Sequence, residues 1–128
     1  MARILAIDDD GAVCATVGVI LERAGHQVVT AQDGRGGLKR LEADQFDLLL
    51  IDIFMPEMDG LETIRVVRKS RPKLPIIVMS GSTLERAEMP DYLSFATKLG
   101  AVESPRKPFK PAALVEMVDR CLANRTND

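Results

Sequence analysis

The sequence predicts an α/β domain in which a doubly wound parallel sheet carries helices on both faces. Three observations lead there. Short apolar runs and helix-period segments alternate five times along the 128 residues, the pattern of a sheet built from crossover units. Leu48-Leu-Leu-Ile51 is an unbroken apolar run, as a strand covered on both sides requires. The first, third and fourth runs each end in a polar residue, Asp8, Asp52 and Ser80. The length suits one domain, and a 46% share of hydrophobic residues is enough for a core without a metal or disulfide staple.

Taken in order, Ile4–Ile7 is the first strand. Val13, Val17, Ile20, Leu21 and Ala24 then share a helical face, which Gly25 closes in a left-handed cap. Val28–Ala31 reads as a strand. Leu38 and Leu41 mark a short helix that Gly36 and Gly37 weaken at its start. After the Leu48–Ile51 strand, Asp59 and Glu62 make a capping pair for a helix lined by Leu61, Ile64 and Val67. It stops before Pro72. Pro75–Met79 is a buried strand, and Ser80–Pro90 is irregular. A helix from about Asp91 groups Tyr92, Ala96 and Leu99 and ends at Gly100. A poor strand covers Val102–Arg106. A last helix begins at Pro111 and buries Leu114, Val115, Val118 and Leu122. One domain, 1–124, is followed by a polar tail, 125–128.

Charge and composition remove several functions. Seventeen Lys and Arg against nineteen Asp and Glu leave a formal charge of −2, so no basic excess draws the molecule to nucleic acid. No run without charge, Gly11–Leu21 included, exceeds eleven residues, against the roughly 18 of a membrane span. The N-terminus has no signal-peptide pattern. Cys14 and Cys121 with one histidine cannot build a thiolate–histidine zinc site. A cytoplasmic protein with free thiols is expected. The basic stretch from Arg65 to Lys73 lies at a helix C-terminus, where cations complement the dipole. His26 reads as an exposed turn residue, and the two cysteines as ordinary helix residues.

In open parallel sheets ligands bind beyond the carboxyl ends of the strands. The residues there are Asp8-Asp9-Asp10, Asp52, Ser80-Gly81 and Lys107. If the first and third strands are neighbours, Asp8, Asp9 and Asp52 converge, and their mutual repulsion calls for a hard divalent cation. Lys107 adds an ammonium and Ser80 a hydroxyl. A metal, an ammonium and a hydroxyl around one carboxylate suit a phosphoryl group attached to it. Taken singly, each piece has a plain reading: Asp10 as an N-cap, Asp8 and Asp9 as solvated loop, Asp52 and Ser80 as turn residues, Lys107-Pro108 as a loop. Their coincidence on one sheet edge is what points to chemistry.

The runs Ile4-Leu-Ala-Ile-Asp-Asp-Asp10, Leu49-Leu-Ile-Asp-Ile-Phe-Met-Pro-Glu-Met-Asp-Gly60, Ile77-Val-Met-Ser-Gly81, and Gly100-Ala101 followed by Lys107-Pro-Phe109 resemble the receiver domain of bacterial two-component response regulators over essentially the whole chain. The resemblance implies a flavodoxin-like sheet of five parallel strands in the order 2-1-3-4-5. It implies Asp52 as phospho-acceptor and a Mg2+ ion held by Asp9, Asp52 and the backbone carbonyl of Phe54, with Asp8 acting through water. Ser80 and Lys107 would contact the phosphoryl group, and the Lys107–Pro108 bond would be cis. The implied partners are a histidine kinase or histidine phosphotransfer protein, and a downstream protein on the face of the fourth helix, fifth strand and fifth helix. The implied reaction is stoichiometric acceptance and slow self-hydrolysis, not enzymatic turnover.

Four departures stand out. Ser104 occupies the position of the aromatic switch partner of Ser80. Pro105 falls in the fifth strand, tolerable at a sheet edge. Ser80 and Lys107 are 27 positions apart, longer than in short members, and the extra residues are expected as an irregular loop within Ser82–Pro90. Phe54 places bulk where attacking water would pass. One rival comes from another class. Asp8-x-Asp10-Gly-Ala-Val resembles haloacid-dehalogenase-type phosphatases, with Asp8 as nucleophile and Asp10 as general acid/base, but it leaves Asp52–Gly60 and Lys107-Pro-Phe109 unexplained. A third reading keeps the fold as a binding module that signals without phosphate. The intact acidic set opposes it, while Ser104 leaves it some room.

Overall fold

A computed structural model describes residues 2–52, 60–79, 89–103 and 110–125. The elements are β1 (Arg3–Ile7), α1 (Gly11–Arg23), β2 (Gln27–Ala31), α2 (Gly34–Ala43), β3 (Leu48–Asp52), α3 (Gly60–Ser70), β4 (Ile76–Met79), α4 (Met89–Lys98), β5 (Val102–Glu103) and α5 (Pro111–Arg125). The strands form one sheet in the order β2-β1-β3-β4-β5, with every pairing parallel. This is the order that the resemblance implies.

The continuous apolar strands divide by strict alternation. Leu5 and Ile7 of β1, Leu49 and Ile51 of β3, and Ile76 and Val78 of β4 face one way, against Leu41, Leu61, Ile64, Val67 and Ala96 of α2, α3 and α4. Ile4, Ala6, Leu48, Leu50, Ile77 and Met79 face the other way, against Val17 and Leu21 of α1 and Leu114 and Val118 of α5. A period of two along each strand therefore feeds two cores.

Helix ends explain much of the local sequence. Gly25 (φ 96°) and Gly100 (φ 88°) are left-handed. At the first, Gly25 N–H donates to Glu22 O at 3.0 Å and His26 N–H to Leu21 O at 3.1 Å. At the second, Gly100 N–H donates to Thr97 O at 2.9 Å and Ala101 N–H to Ala96 O at 3.0 Å. Both are Schellman caps, which satisfy carbonyls that a helix end would otherwise strand.

Arg68 and Arg71, on the basic stretch, also serve carbonyls. Arg68 Nε donates to Leu99 O at 2.7 Å, and its Nη1 reaches Leu74 O at 2.8 Å, Pro72 O at 3.0 Å and Arg71 O at 3.1 Å. Burial lowers the Arg68 pKa from its ordinary value, and the carbonyl dipoles compensate the charge. Arg71 Nη2 donates to Leu41 O at 2.5 Å, tying the end of α3 to that of α2. The stretch thus serves helix ends, as its position predicts.

Several boundaries differ from expectation. α4 begins at Met89, with Pro90 in its first turn, where the missing N–H costs nothing. β4 begins at Ile76, although Pro75 still accepts from Leu49 N–H at 2.9 Å. β5 holds only Val102–Glu103; the rest of the expected strand, Asp59 of the capping pair and the irregular stretch before Met89 lie outside the described residues. His26 is corrected outright. Its side chain is only 9% exposed, because Nδ1 accepts from Ala2 N–H at 3.1 Å and Nε2 lies 3.1 Å from Asp119 Oδ1 on α5. With Nδ1 accepting, a neutral ring carries its proton on Nε2.

α2 runs through Gly36 and Gly37. Asp33 caps it, accepting from Gly36 N–H at 2.6 Å, which supplies the start that its propensity lacks. Gly37 has a packing reason: a Cβ there would overlap Cδ1 and Cγ1 of the fully buried Ile7. Gly37→Ala gains about 1 kcal/mol of helix propensity but forces an overpacked contact of about 1–3 kcal/mol. The expected outcome in urea denaturation is a net loss of stability, with part of it recovered when Ile7→Val removes Cδ1 in the same chain.

Candidate metal and phosphoryl-acceptor site

The site follows from register. Ile4 pairs with Leu48 and Ile7 with Ile51, so continuing the ladder by one residue sets Asp8 opposite Asp52. By the alternation that points Ile4, Ala6, Leu48 and Leu50 to one core, both aspartates lean to the α1–α5 side of the sheet. Ligand oxygens of Asp8, Asp9 and Asp52 lie within 4.8 Å of one another. Asp8 is 1% exposed and Asp52 6%, while Asp9 is exposed.

Local bonds over-determine this corner. Asp8 N–H donates to Ala31 O at 3.1 Å, extending the β1–β2 ladder past the strand end. An Asp8 carboxylate oxygen accepts from Asp10 N–H at 2.9 Å. Asp10 caps α1, accepting from Ala12 N–H at 2.9 Å, as its position predicts. Cys14, read from the sequence as an ordinary helix residue, is buried behind the site, with Sγ 3.4 Å from Asp8 O and 3.8 Å from Ala31 O. Thiol, cap and ladder together hold the Asp8 backbone. Nothing in the spacing of Asp8 and Cys14 signals that contact, because it depends on how α1 lies against β1 and β2.

Two largely buried carboxylates up to 4.8 Å apart repel by roughly 3 kcal/mol at an effective dielectric constant near 20. That cost falls if a hard cation sits between them. Three carboxylates offer only oxygen donors, the preference of Mg2+ or Ca2+ over softer metals, so the residues present fit the ion that the resemblance implies. Phe54, Ser80, Ser104 and Lys107 lie outside the described residues. The structure therefore brings together Asp8, Asp9 and Asp52 of the expected set.

Comparison with known proteins agrees with this geometry. Residues 4–119 match the family model of the response regulator receiver domain. The chain is 31% identical over 109 residues to the alkaline phosphatase synthesis transcriptional regulatory protein PhoP of Bacillus subtilis, covering 85% of this chain and 43% of that protein. It is 33% identical to the transcriptional regulatory protein CpxR of Escherichia coli, covering 99% of this chain and 51% of CpxR. The chain thus spans about half the length of these relatives.

Among solved structures, a CheY-like receiver domain protein from Methanospirillum hungatei superposes with a TM-score of 0.88 at 31% identity, covering 99% of this chain and 98% of that one. CheY4 of Vibrio cholerae gives 0.84 at 31%, covering 94% and 98%. Among the described residues, no helix is long and apolar enough to cross a membrane. With its strand order, its rim of three carboxylates and a family match over nearly all of its length, the chain belongs to the response regulator receiver domain family of two-component signalling.

Proposed function

We propose that Asp52 is the phospho-acceptor and that the chain is a phosphorylation-controlled switch of protein interactions. The observation that carries this is the placing of the Asp52 carboxylate, nearly buried, at the carboxyl end of a central strand beside Asp8 and Asp9. A carboxylate oxygen of Asp52 attacks phosphorus, the P–N bond of a phosphohistidine breaks, and the imidazole leaves with its electron pair and takes up a proton. The product is an acyl phosphate on the side chain. The donor is a histidine kinase or a histidine phosphotransfer protein, as family membership suggests. The set Asp8, Asp9, Asp52 and the Phe54 carbonyl would hold Mg2+, with Asp8 acting through water. When bound, the ion supplies neutralisation of charge on the transferring oxygens.

Asp8 and Asp9 hold acidic groups next to the acceptor, and the extended ladder through Asp8 fixes their position. Lys107 supplies a point charge and Ser80 a hydroxyl to the phosphoryl oxygens, roles carried over from the family pattern. Ser104 stands in the place of the aromatic partner of Ser80 in the family's switch pair. A downstream protein docks on the face of α4, β5 and α5, where Phe95 is 48% exposed and Val102 45%. Protein rather than nucleic-acid partners for residues 1–124 fit the net charge of −2, and a cytoplasmic location fits the free thiols of Cys14 and Cys121.

The phosphatase reading loses its support in the residues themselves. Its general acid/base, Asp10, is engaged as the α1 cap, and its family is not the one that residues 4–119 match.

Incubation with acetyl phosphate and Mg2+ is expected to label the protein stoichiometrically with a hydroxylamine-labile adduct. Asp52→Asn should take up none, whereas sustained phosphate release or a labelled Asp52→Asn protein would refute the assignment. In thermal melts, Mg2+ should raise Tm of the wild type, by about 2.7 kcal/mol of stability at a hundredfold excess over Kd. Asp52→Asn should be more stable than the wild type without Mg2+ and gain little from it, since one repelling charge is gone. Phe54→Asn should shorten the lifetime of the phosphorylated form, read as the decay of the labelled band; an unchanged lifetime argues against Phe54 as a barrier to water.

A further inference from the structure

A cleft of about 760 Å³ opens at the other end of the sheet from Asp52, between the α3–β4 connection, the α4–β5 turn and the end of α5. Its floor is apolar, formed by Leu74, Ile76, Leu99 and Val102. The charged groups that line it are Arg68, Lys73 and Lys98, with no carboxylate among the described lining residues. That is an unusual local balance in a chain of net charge −2.

The three cations are not equivalent. Arg68 is occupied by four carbonyls and acts as wall. Lys98 carries its ammonium 5.5 Å from the ring centroid of Phe95, itself half exposed, so charge and apolar surface stand side by side. Lys73 lines the cleft from the connection after α3.

We propose that this cleft is a docking site for an acidic peptide segment of a partner protein, one that alternates carboxylates with leucine- or phenylalanine-like side chains. Carboxylates pair with Lys73 and Lys98 on the rim while an apolar side chain covers Leu74, Leu99 and Val102. The match of charge outside and apolar contact inside follows the usual anatomy of a recognition surface. The site is built wholly from described residues, and it needs neither Mg2+ nor a phosphorylated Asp52.

The test is an amide NMR titration of the unphosphorylated protein with a short acetylated peptide alternating glutamate and leucine. A second peptide carries glutamine in place of glutamate. The expected result is saturable shifts at Leu74, Gly100 and Val102, weakening with added salt and absent with the glutamine peptide. Lys73→Glu with Lys98→Glu should weaken binding roughly tenfold, as loss and reversal of two exposed ion pairs implies. Absence of saturable shifts, equal binding of the glutamine peptide, or shifts that map elsewhere would overturn the proposal. So would shifts produced only by phosphatidylglycerol vesicles. Should the double variant fail to fold, the salt series and the glutamine peptide on the wild type still decide. Loss of Asp52 labelling would leave this result untouched, so the two readings fail separately.

Discussion

The parallel register of β1 with β3 is the constraint on which the rest depends. Pairing Ile7 with Ile51 carries Asp8 and Asp52 to the same rung beyond the ladder and to the same side of the sheet. Like charges then lie together, two of them largely buried, which folding alone would not favour. A shift of one residue in that register would send Ile4, Ala6 and Asp8 to the wrong core. The apolar runs that stabilise the fold therefore enforce the electrostatic arrangement at this rim, and the cores supply the free energy against which the repulsion is set.

The two ends of the sheet are built on opposite principles. At the carboxyl end, carboxylates face one another and backbone N–H groups of Asp8 and Asp10 are spent on holding them. At the amino end, helix carbonyls accumulate as α2, α3 and α4 finish, and arginine side chains satisfy them. Arg68 links the end of α4, through Leu99, to the connection that leads into β4, while Arg71 links α3 to α2. A guanidinium suits this task because its planar fork can serve several acceptors at once and stays charged when half buried. The C-terminal end of α4 is thus tied to the connection that leads into β4.

Much of the fold could be read from residue patterns because those patterns are local. The Leu48–Ile51 run, the caps at Gly25 and Asp10, and the proline at the start of α5 each act within a few positions of themselves. The acidic site was readable for a related reason: in a parallel sheet all strand ends of one kind lie on one rim, so Asp8, Asp9 and Asp52 needed only the strand order to be brought together. What could not be read were contacts between distant segments. His26 looks like a turn residue until α5 and Ala2 are placed on either side of it. Gly37 looks like a helix defect until Ile7 is packed beneath it. Cys14 looks like filler until its thiol is found against the Asp8 carbonyl.

The amino-acid sequence by itself determined the alternation of strands and helices, the caps, and the acidic character of the strand ends, since these follow from hydrophobic period and local hydrogen bonding. Tertiary structure alone decided which side chains became pins, namely His26, Arg68 and Cys14, and where cations gathered around an apolar cleft. Those depend on the directions in which helices cross the sheet, and that geometry arises from the packing of both cores together, not from any single segment.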